Sequence, residues 1–261
     1  MEHDIDRIIV VDLLGAMAHF RAFYTNSSSL TYSFPPRTVI TGILAGIMGR
    51  PRDSYYEEFS QHACRIALSI RSPFRKIMNT LNYSWMKSPR DFVINPGQHL
   101  QVQFETVVPG TQLSEWGDLI YRIYIWHSQS HILDELKKRS QERSYVYPPY
   151  MGISEFTGEV EFVDEIAGSD IHTVHINDYA EFNTVLNADS ITDRGLEFHS
   201  EDKPLQYMKE FMPLEFKTDR SSKCTGKFIF EKNLRGIRAK LTEPFIRARG
   251  ENLSFMEGGY G

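Results

Sequence analysis

Apolar residues recur along this chain in two rhythms, and the switches between them mark out its elements. Ile5 to Leu14 is a β-branched run and reads as a first strand. Ala18 to Arg37 is poor in aliphatic residues and rich in Ser, Asn, Tyr and Pro, which predicts a long loop. From Thr38 to Met48 the period changes. Ile40, Ile43, Leu44, Ile47 and Met48 fall at i, i+3, i+4, i+7 and i+8, one face of a helix with Thr38 as its N-cap. Gly42 and Gly46, one turn apart on that helix, leave room for another backbone to approach closely.

Ala63 to Ile70 reads as a second strand. Lys76 to Val108 holds two extended stretches, interrupted around Ser88-Pro89 and Asn95-Pro96-Gly97, and predicts a long hairpin or arm. In Leu119 to His127, Tyr121, Ile123 and Ile125 alternate with Arg122, Tyr124 and Trp126, the two faces of a strand. Ser130 to Arg143 predicts a second helix, capped by Ser130 and basic toward its end, where the helix dipole favours cations. Val160 to Ile166 closes the series as a short strand. The order is β-α-β-(arm)-β-α-β, the ferredoxin-like α+β order. After about Gly168 the signals are mostly strand-like with no clear helix. The expected organisation is a ferredoxin-like domain over 1–168, an arm at about 76–108, and a β-rich C-terminal extension over 169–261.

The 261 residues suit one large domain, or one domain with an extension. No apolar run approaches the roughly 20 residues of a membrane helix. Met1 to Asp12 carries four acids, unlike a secretory signal. Cys64 and Cys224 stand far apart, which excludes a disulfide scaffold and a Cys-rich zinc site. These features predict a cytoplasmic protein without a membrane partner.

Charge changes the picture more than composition does. The formal net charge is −5, which by itself argues against a polyanionic partner. Yet Leu13 to Arg90 holds ten Lys/Arg against three Asp/Glu, and Lys217 to Arg249 holds the same ten against three. The intervening Asp91 to Phe216 holds eight against 22. A polyanion responds to the local field, so two basic segments that meet in space could form a nucleic-acid surface. The asymmetry also suits plain solubility.

The richest segment is Gly15 to Thr38, GAMAHFRAFYTNSSSLTYSFPPRT, which contains no acid. It offers Arg21 and Arg37 as cations and Tyr24, Asn26, Ser27, Ser28, Ser29 and Tyr32 as hydrogen-bonding groups. It leads from a strand end to a helix N-terminus, where free N–H groups favour an anion. Phe20, Phe23, Tyr24, Tyr32 and Phe34 could stack on unpaired bases. The same composition suits an ordinary surface loop whose aromatic residues belong to the core. Arg65 to Arg90 is a second acid-free stretch, with Arg75, Lys76 and Lys87 interleaved with Tyr83 and Trp85. Lys217 to Arg249 is a third basic region. His172 and His175, or His127 and His131, lack the HExxH arrangement and have no Cys beside them, so no metal site and no cofactor is expected. The P-loop and GxSxG motifs are absent.

The block AHFRAFYTNSSSLTYSFPPRTVITGILAGIMG resembles the N-terminal block of the CRISPR-associated Cas-five family, particularly its type I-B branch. HLQVQFETVVPG with LIYRIYIWHS, and YPPYMGISEFTGEVEFV, resemble the family's hairpin return with its third strand and its Pro-Pro turn before the fourth strand. The resemblance implies a RAMP-type, RRM-like ferredoxin fold with an inserted thumb hairpin. It further implies a subunit of a type I Cascade complex that caps the 5′ handle of crRNA. Its partners would be the backbone subunit (Cas-seven type) and the large subunit (Cas-eight type), with target DNA engaged through the complex. Carried over by position, the expected RNA-binding residues are His19, Arg21, Tyr24, Asn26, Ser27, Ser28, Pro36, Arg37, Thr38, Arg75, Lys76, Tyr83, Trp85 and Lys87. The sequence departs from the commoner family pattern at Gln98-His99-Leu100-Gln101 and in its Gly-Gly-Tyr-Gly ending. No catalytic residue is expected. The alternative is a metal-independent endoribonuclease that processes the repeat transcript, with His19, Tyr24 and Arg21 supplying acid–base and phosphorane-stabilising groups.

Overall fold

A long apolar strand at the start of the chain seeds the central sheet. In the computed structural model, which describes residues 5–25, 28–84, 88–90, 99–112, 115, 117–175, 177–198 and 205–257, β1 (Arg7–Gly15) runs between two antiparallel neighbours. These are β7 (Leu119–His127) and β8 (Glu159–Ala167), and β4 (Cys64–Ile70) flanks β7, giving the order β4-β7-β1-β8. Register pairs such as Ile9 with Ile125 and Ile66 with Ile125 align apolar residues across the sheet. Helix α1 (Arg37–Ile47) links β1 to β4, and α2 (Ser130–Glu142) links β7 to β8.

Both sheet faces are buried, which explains why β1 reads as an almost continuous apolar run rather than an alternating one. Ile9, Val11, Leu13, Ile66, Leu68, Ile123 and Ile125 pack against Ile40, Leu44 and Ile47 of α1 and Ile132, Leu133 and Leu136 of α2. On the opposite face, Ile8, Val10, Ala67, Tyr124 and Trp126 meet Ile246, Ala248 and Leu253, which come from the last strands of the chain. The protein is mixed α and β, with strands predominating.

The loop expected over Ala18–Arg37 contains a short hairpin, β2 (Phe20–Arg21) with β3 (Thr31–Tyr32). It is stitched to the arm, formed by β5 (Phe74–Ser84) and β6 (His99–Pro109) paired antiparallel from Phe74–Pro109 to Ser84–His99. Ala18 and Val107 exchange backbone bonds of 3.0 and 2.9 Å, and Ser29 bonds Gln103 and Glu105 at 2.8 and 2.9 Å. Two helix starts differ from expectation. Pro36, not Thr38, precedes the first turn of α1, and Gln129, not Ser130, precedes α2; neither supplies a side-chain cap. Thr38 already lies inside α1, because the Pro35-Pro36 pair fixes the chain direction before it, and Ser130 is the first residue of α2.

The remainder is strand: β9 (Ile171–Val174), β10 (Ala180–Phe182), β11 (Leu186–Asn187), β12 (Ile191–Leu196), β13 (Tyr207–Phe216), β14 (Ser222–Glu231), β15 (Ile237–Leu241), β16 (Phe245–Ala248) and β17 (Glu251–Leu253). Met212, Leu214, Phe228 and Phe230 from the β13–β14 ribbon, with Met256 near the end, join the same core as α1. Residues after 168 therefore share their packing with those before it. Among the described residues no helix is long and apolar enough to cross a membrane.

The deepest polar contact ties the two ends of this core together. Arg37, 1% exposed, donates from Nε to Glu257 and from Nη2 to the carbonyls of Phe59 and Cys64 at 2.9 and 2.7 Å. Glu257 also accepts from Ile66 N–H at 3.0 Å. Burial pushes the Glu257 carboxyl up, and Arg37 and the Ile66 N–H oppose that shift. Removing one member leaves the other a buried unpaired charge. Glu257→Ala should cost about 3–5 kcal/mol, read as a lowered urea midpoint, whereas Arg37→Met with Glu257→Leu should recover a large part of the loss. Equal stability of Glu257→Ala and wild type would show that the pair does not hold the tail.

Candidate nucleic-acid interface

Helix α1 buries one stripe and leaves Thr38, Val39, Gly42 and Gly46 on the other. The two glycines form the floor of a cleft of about 950 Å³. A Cβ on Gly42 would lie 3.3 Å from the Tyr55 hydroxyl, and one on Gly46 would lie 3.9 Å from Tyr147 Cβ. Gly42 admits the Tyr55 hydroxyl, and at Gly46 a second backbone approaches as the spacing suggested: Tyr147 N–H donates to the Gly46 carbonyl at 3.1 Å and Val146 N–H to that of Ile47 at 3.0 Å. Tyr147 and Tyr150, on either side of Pro148-Pro149, form one wall and are exposed; Tyr55 and Tyr56 form another. Burial holds the Tyr55 and Tyr56 phenols above their usual range, so both remain hydroxyls, and Tyr56 donates to Asp53 at 2.6 Å.

Four arginines reach this cleft, and their pairing separates them. Arg50 binds Glu58 at 2.9 Å and Glu135 at 3.3 Å. Arg52 and Arg220 share Asp53. Arg21 is exposed at the mouth and forms no ion pair among the described residues. It is the cation with its full charge available to a ligand.

The expected site residues fall into three groups. Arg21 and Thr38 line the cleft together, while Tyr24 is 56% exposed and Ser28 half-buried on the neighbouring loop. Tyr83 is exposed on the arm, whose apolar cross-strand pair Tyr83–Leu100 and nearby Leu81 face one way. Asn26, Ser27, Trp85 and Lys87 lie outside the described residues.

The others are engaged by contacts within the protein, Pro36, Arg37 and His19 buried, Arg75 half-buried and Lys76 exposed but paired, and the expectation that they are free for a ligand is corrected. Arg37 is held by Glu257 and backbone carbonyls, and Pro36 is buried beside it. His19 is buried, stacked on Phe104 with ring centroids 4.0 Å apart. Its Nδ1 lies 2.7 Å from the Glu105 carbonyl, which makes Nδ1 the donor and leaves Nε2 to accept from Ser29 Oγ at 3.0 Å. Arg75 donates to the carbonyls of Pro109 and Gln112, both at 2.7 Å. Lys76 donates to Thr31 O at 2.6 Å and pairs with Glu210 at 3.2 Å. Phe20, Tyr32 and Phe34, offered as stacking groups, are core residues, whereas Phe23 and Tyr24 remain outside. On β2 pairing turns Phe20 inward and Arg21 outward, while both residues of β3, Thr31 and Tyr32, are buried, so much of a polar-looking loop is turned into the protein.

Tyr55, Tyr147 and Tyr150 were not among the expected site residues. Their signal was the Tyr-Pro-Pro-Tyr turn and the Tyr-Tyr pair after Arg-Pro-Arg. The outer sheet face, where an open four-stranded sheet would present aromatic residues to bases, is closed here. Tyr124 and Trp126 lie beneath β16 and β17. Among the described residues no group of three or more His, Cys, Asp or Glu could hold a metal ion.

The sequence model of the family described as CRISPR-associated protein (Cas_Cas5) matches residues 8–219. No curated protein matches the sequence. Among solved structures, one described as a CRISPR RNA-guided surveillance complex is similar at 12% identity, covering 90% of each chain with a TM-score of 0.47. One described as a Cas protein is similar at 11% identity over 89% of this chain and 95% of that one, with a TM-score of 0.46. One of a Type III-B Cmr-beta bound to cognate target RNA and AMPPnP is similar at 10% identity over 89% and 86%, with a TM-score of 0.47.

Burial holds the imidazoles of His19 and His127 below the usual histidine range; the Glu105 and Glu58 carbonyls oppose the shift, and Arg21 and His131 add to it. The unfolded chain therefore binds more protons at mildly acidic pH. Stability should be constant above about pH 6.5 with respect to these two groups and fall as pH drops below it. Denaturation midpoints at pH 7.5 and 5.5 should differ in wild type and differ less in a His19→Gln, His127→Gln variant. An identical pH dependence in both would remove the histidines from the account.

Proposed function

The chain belongs to the CRISPR-associated Cas-five family, and we propose that it is a guide-RNA-binding, non-catalytic subunit of a type I Cascade surveillance complex. In this reading it caps the 5′ handle of crRNA. It joins the backbone subunit (Cas-seven type) to the large subunit (Cas-eight type), and it meets target DNA only through the assembled complex. The observation that carries the proposal is Arg21, an unpaired cation at the mouth of a tyrosine-walled cleft. A guanidinium beside aromatic rings fits a single strand, whose phosphates need cations and whose unpaired bases need flat apolar faces.

The fold reading is ferredoxin-like. It is supported by the strand order β4-β7-β1-β8 with a helix after the first and third of its strands in sequence. The arm is read as the device that meets the neighbouring backbone subunit, because Leu81, Tyr83 and Leu100 leave an apolar strip exposed along it. The absence of catalysis is supported by His19. Its ring is buried and both nitrogens are engaged within the protein, so it has no free nitrogen for a ribose hydroxyl.

Two measurements test this. Arg21→Ala should reduce crRNA retained by the assembled complex and lower the salt slope of RNA binding by about 0.7. Unchanged RNA content and slope would remove the cleft from the RNA path. The purified chain should leave repeat RNA intact in a metal-free gel assay. Cleavage at a fixed site, lost in His19→Ala, would establish the endoribonuclease in its place.

A further inference from the structure

Strand β13 is an edge strand, and its two faces do different things. Glu210, Met212 and Leu214 point inward: Glu210 accepts from Ser33 and pairs with Lys76, and the other two enter the core. Lys209 and Phe211 alternate with them on the outer face. Phe211 lies opposite Lys227 of β14 in the register, so the two side chains sit on the same face. All three are exposed. Neither lysine forms an ion pair among the described residues.

This outer face continues into the N-terminal loop. Phe211, 40% exposed, meets Phe23, 48% exposed, with centroids 5.6 Å apart, and Phe23 meets Tyr24 edge-on at 5.5 Å. Three rings exposed in contact, flanked by unpaired lysines, are unusual on a surface that only needs to be soluble. The nearest acid in sequence, Glu210, points to the other face of the strand and pairs with Lys76 at 3.2 Å, although its charge still reaches Tyr24 and adds to burial in holding that phenol protonated.

We infer that Phe23, Tyr24 and Phe211, with Lys209 and Lys227, form a second single-stranded RNA platform that extends the path beyond the Arg21 cleft onto the C-terminal sheet. The rings take bases and the lysines take the phosphates between them. The inference rests on the RNA-binding reading above but adds Lys209, Phe211 and Lys227, from a part of the chain to which that reading gave no role.

The test is fluorescence anisotropy of the full chain with a labelled oligouridylate, comparing wild type, Phe211→Ala, Lys209→Gln with Lys227→Gln, and Arg21→Ala. Phe211→Ala should weaken binding about fivefold or more through the lost base stack. The double lysine variant should lower the salt slope by about 1.4. Circular dichroism should show each variant folded, since all the replaced side chains are exposed. If Arg21→Ala weakens binding while the Phe211 and lysine variants bind like wild type, the platform is not an RNA surface and the cleft reading stands. If wild type does not bind the RNA at all, both fail. Loss of complex assembly in Phe211→Ala with unaltered RNA binding would make the patch a protein contact instead.

Discussion

A buried ion pair between the start of α1 and the end of the described chain sets the geometry on which the rest depends. Arg37 and Glu257 are 220 residues apart in sequence and together out of water. Two charges taken from solvent cost several kcal/mol each, and only close pairing with further hydrogen bonds offsets that. Here the further bonds come from separate elements: the carbonyl of Phe59 ahead of β4, that of Cys64, its first residue, the Ile66 N–H within it, and the Leu214 carbonyl of β13. Satisfying one guanidinium thus fixes α1, β4, β13 and the tail relative to one another. The glycine face of α1 can form a cleft floor because this contact holds the opposite face in place.

A second polar set joins the loop to the arm. Glu105 on β6 accepts from Thr31 N–H through its carboxylate, and its carbonyl accepts from His19. Lys76 on β5 reaches back to Thr31 and Glu210. An isolated two-stranded hairpin is marginal in water. These contacts and two isolated backbone bridges, Ala18 with Val107 and Ser29 with Phe104, tie the arm base to the folded body. A ligand on the loop and a partner on the arm would press on one connected unit.

The charge map has a different meaning once the contacts are known. Much of the positive charge in the two basic segments is used internally: Arg37 on Glu257, Arg71 on Glu251, Arg220 on Asp53, Lys223 on Glu215. The segment totals therefore overstate the field available to a polyanion. Among the described cations that form no ion pair, Arg21, Lys209 and Lys227 lie beside exposed aromatic residues, and that juxtaposition is more informative than the net charge.

The principal strands and both helices were legible in the residues because their signals are local. β-branched runs, an i, i+3, i+4, i+7 stripe and alternating faces on β7 depend only on near neighbours, and the family resemblance over the first 163 residues agreed with them. The short hairpin within 18–37 gives little signal because each of its strands is only two residues long, and its further backbone partners lie on the distant arm. Its alternation was hidden among residues that all look polar or aromatic. Arg37 and His19 looked like ligand-binding groups because residue type reveals chemistry but not direction. Glu257 gave no signal at all, since nothing near it in sequence announces a buried partner so far away. Local pattern therefore determined which elements form. Which arginine faces solvent, which tyrosines wall the cleft, and which sheet face is closed were decided only by tertiary packing, because burial and charge pairing depend on residues brought together from opposite ends of the chain.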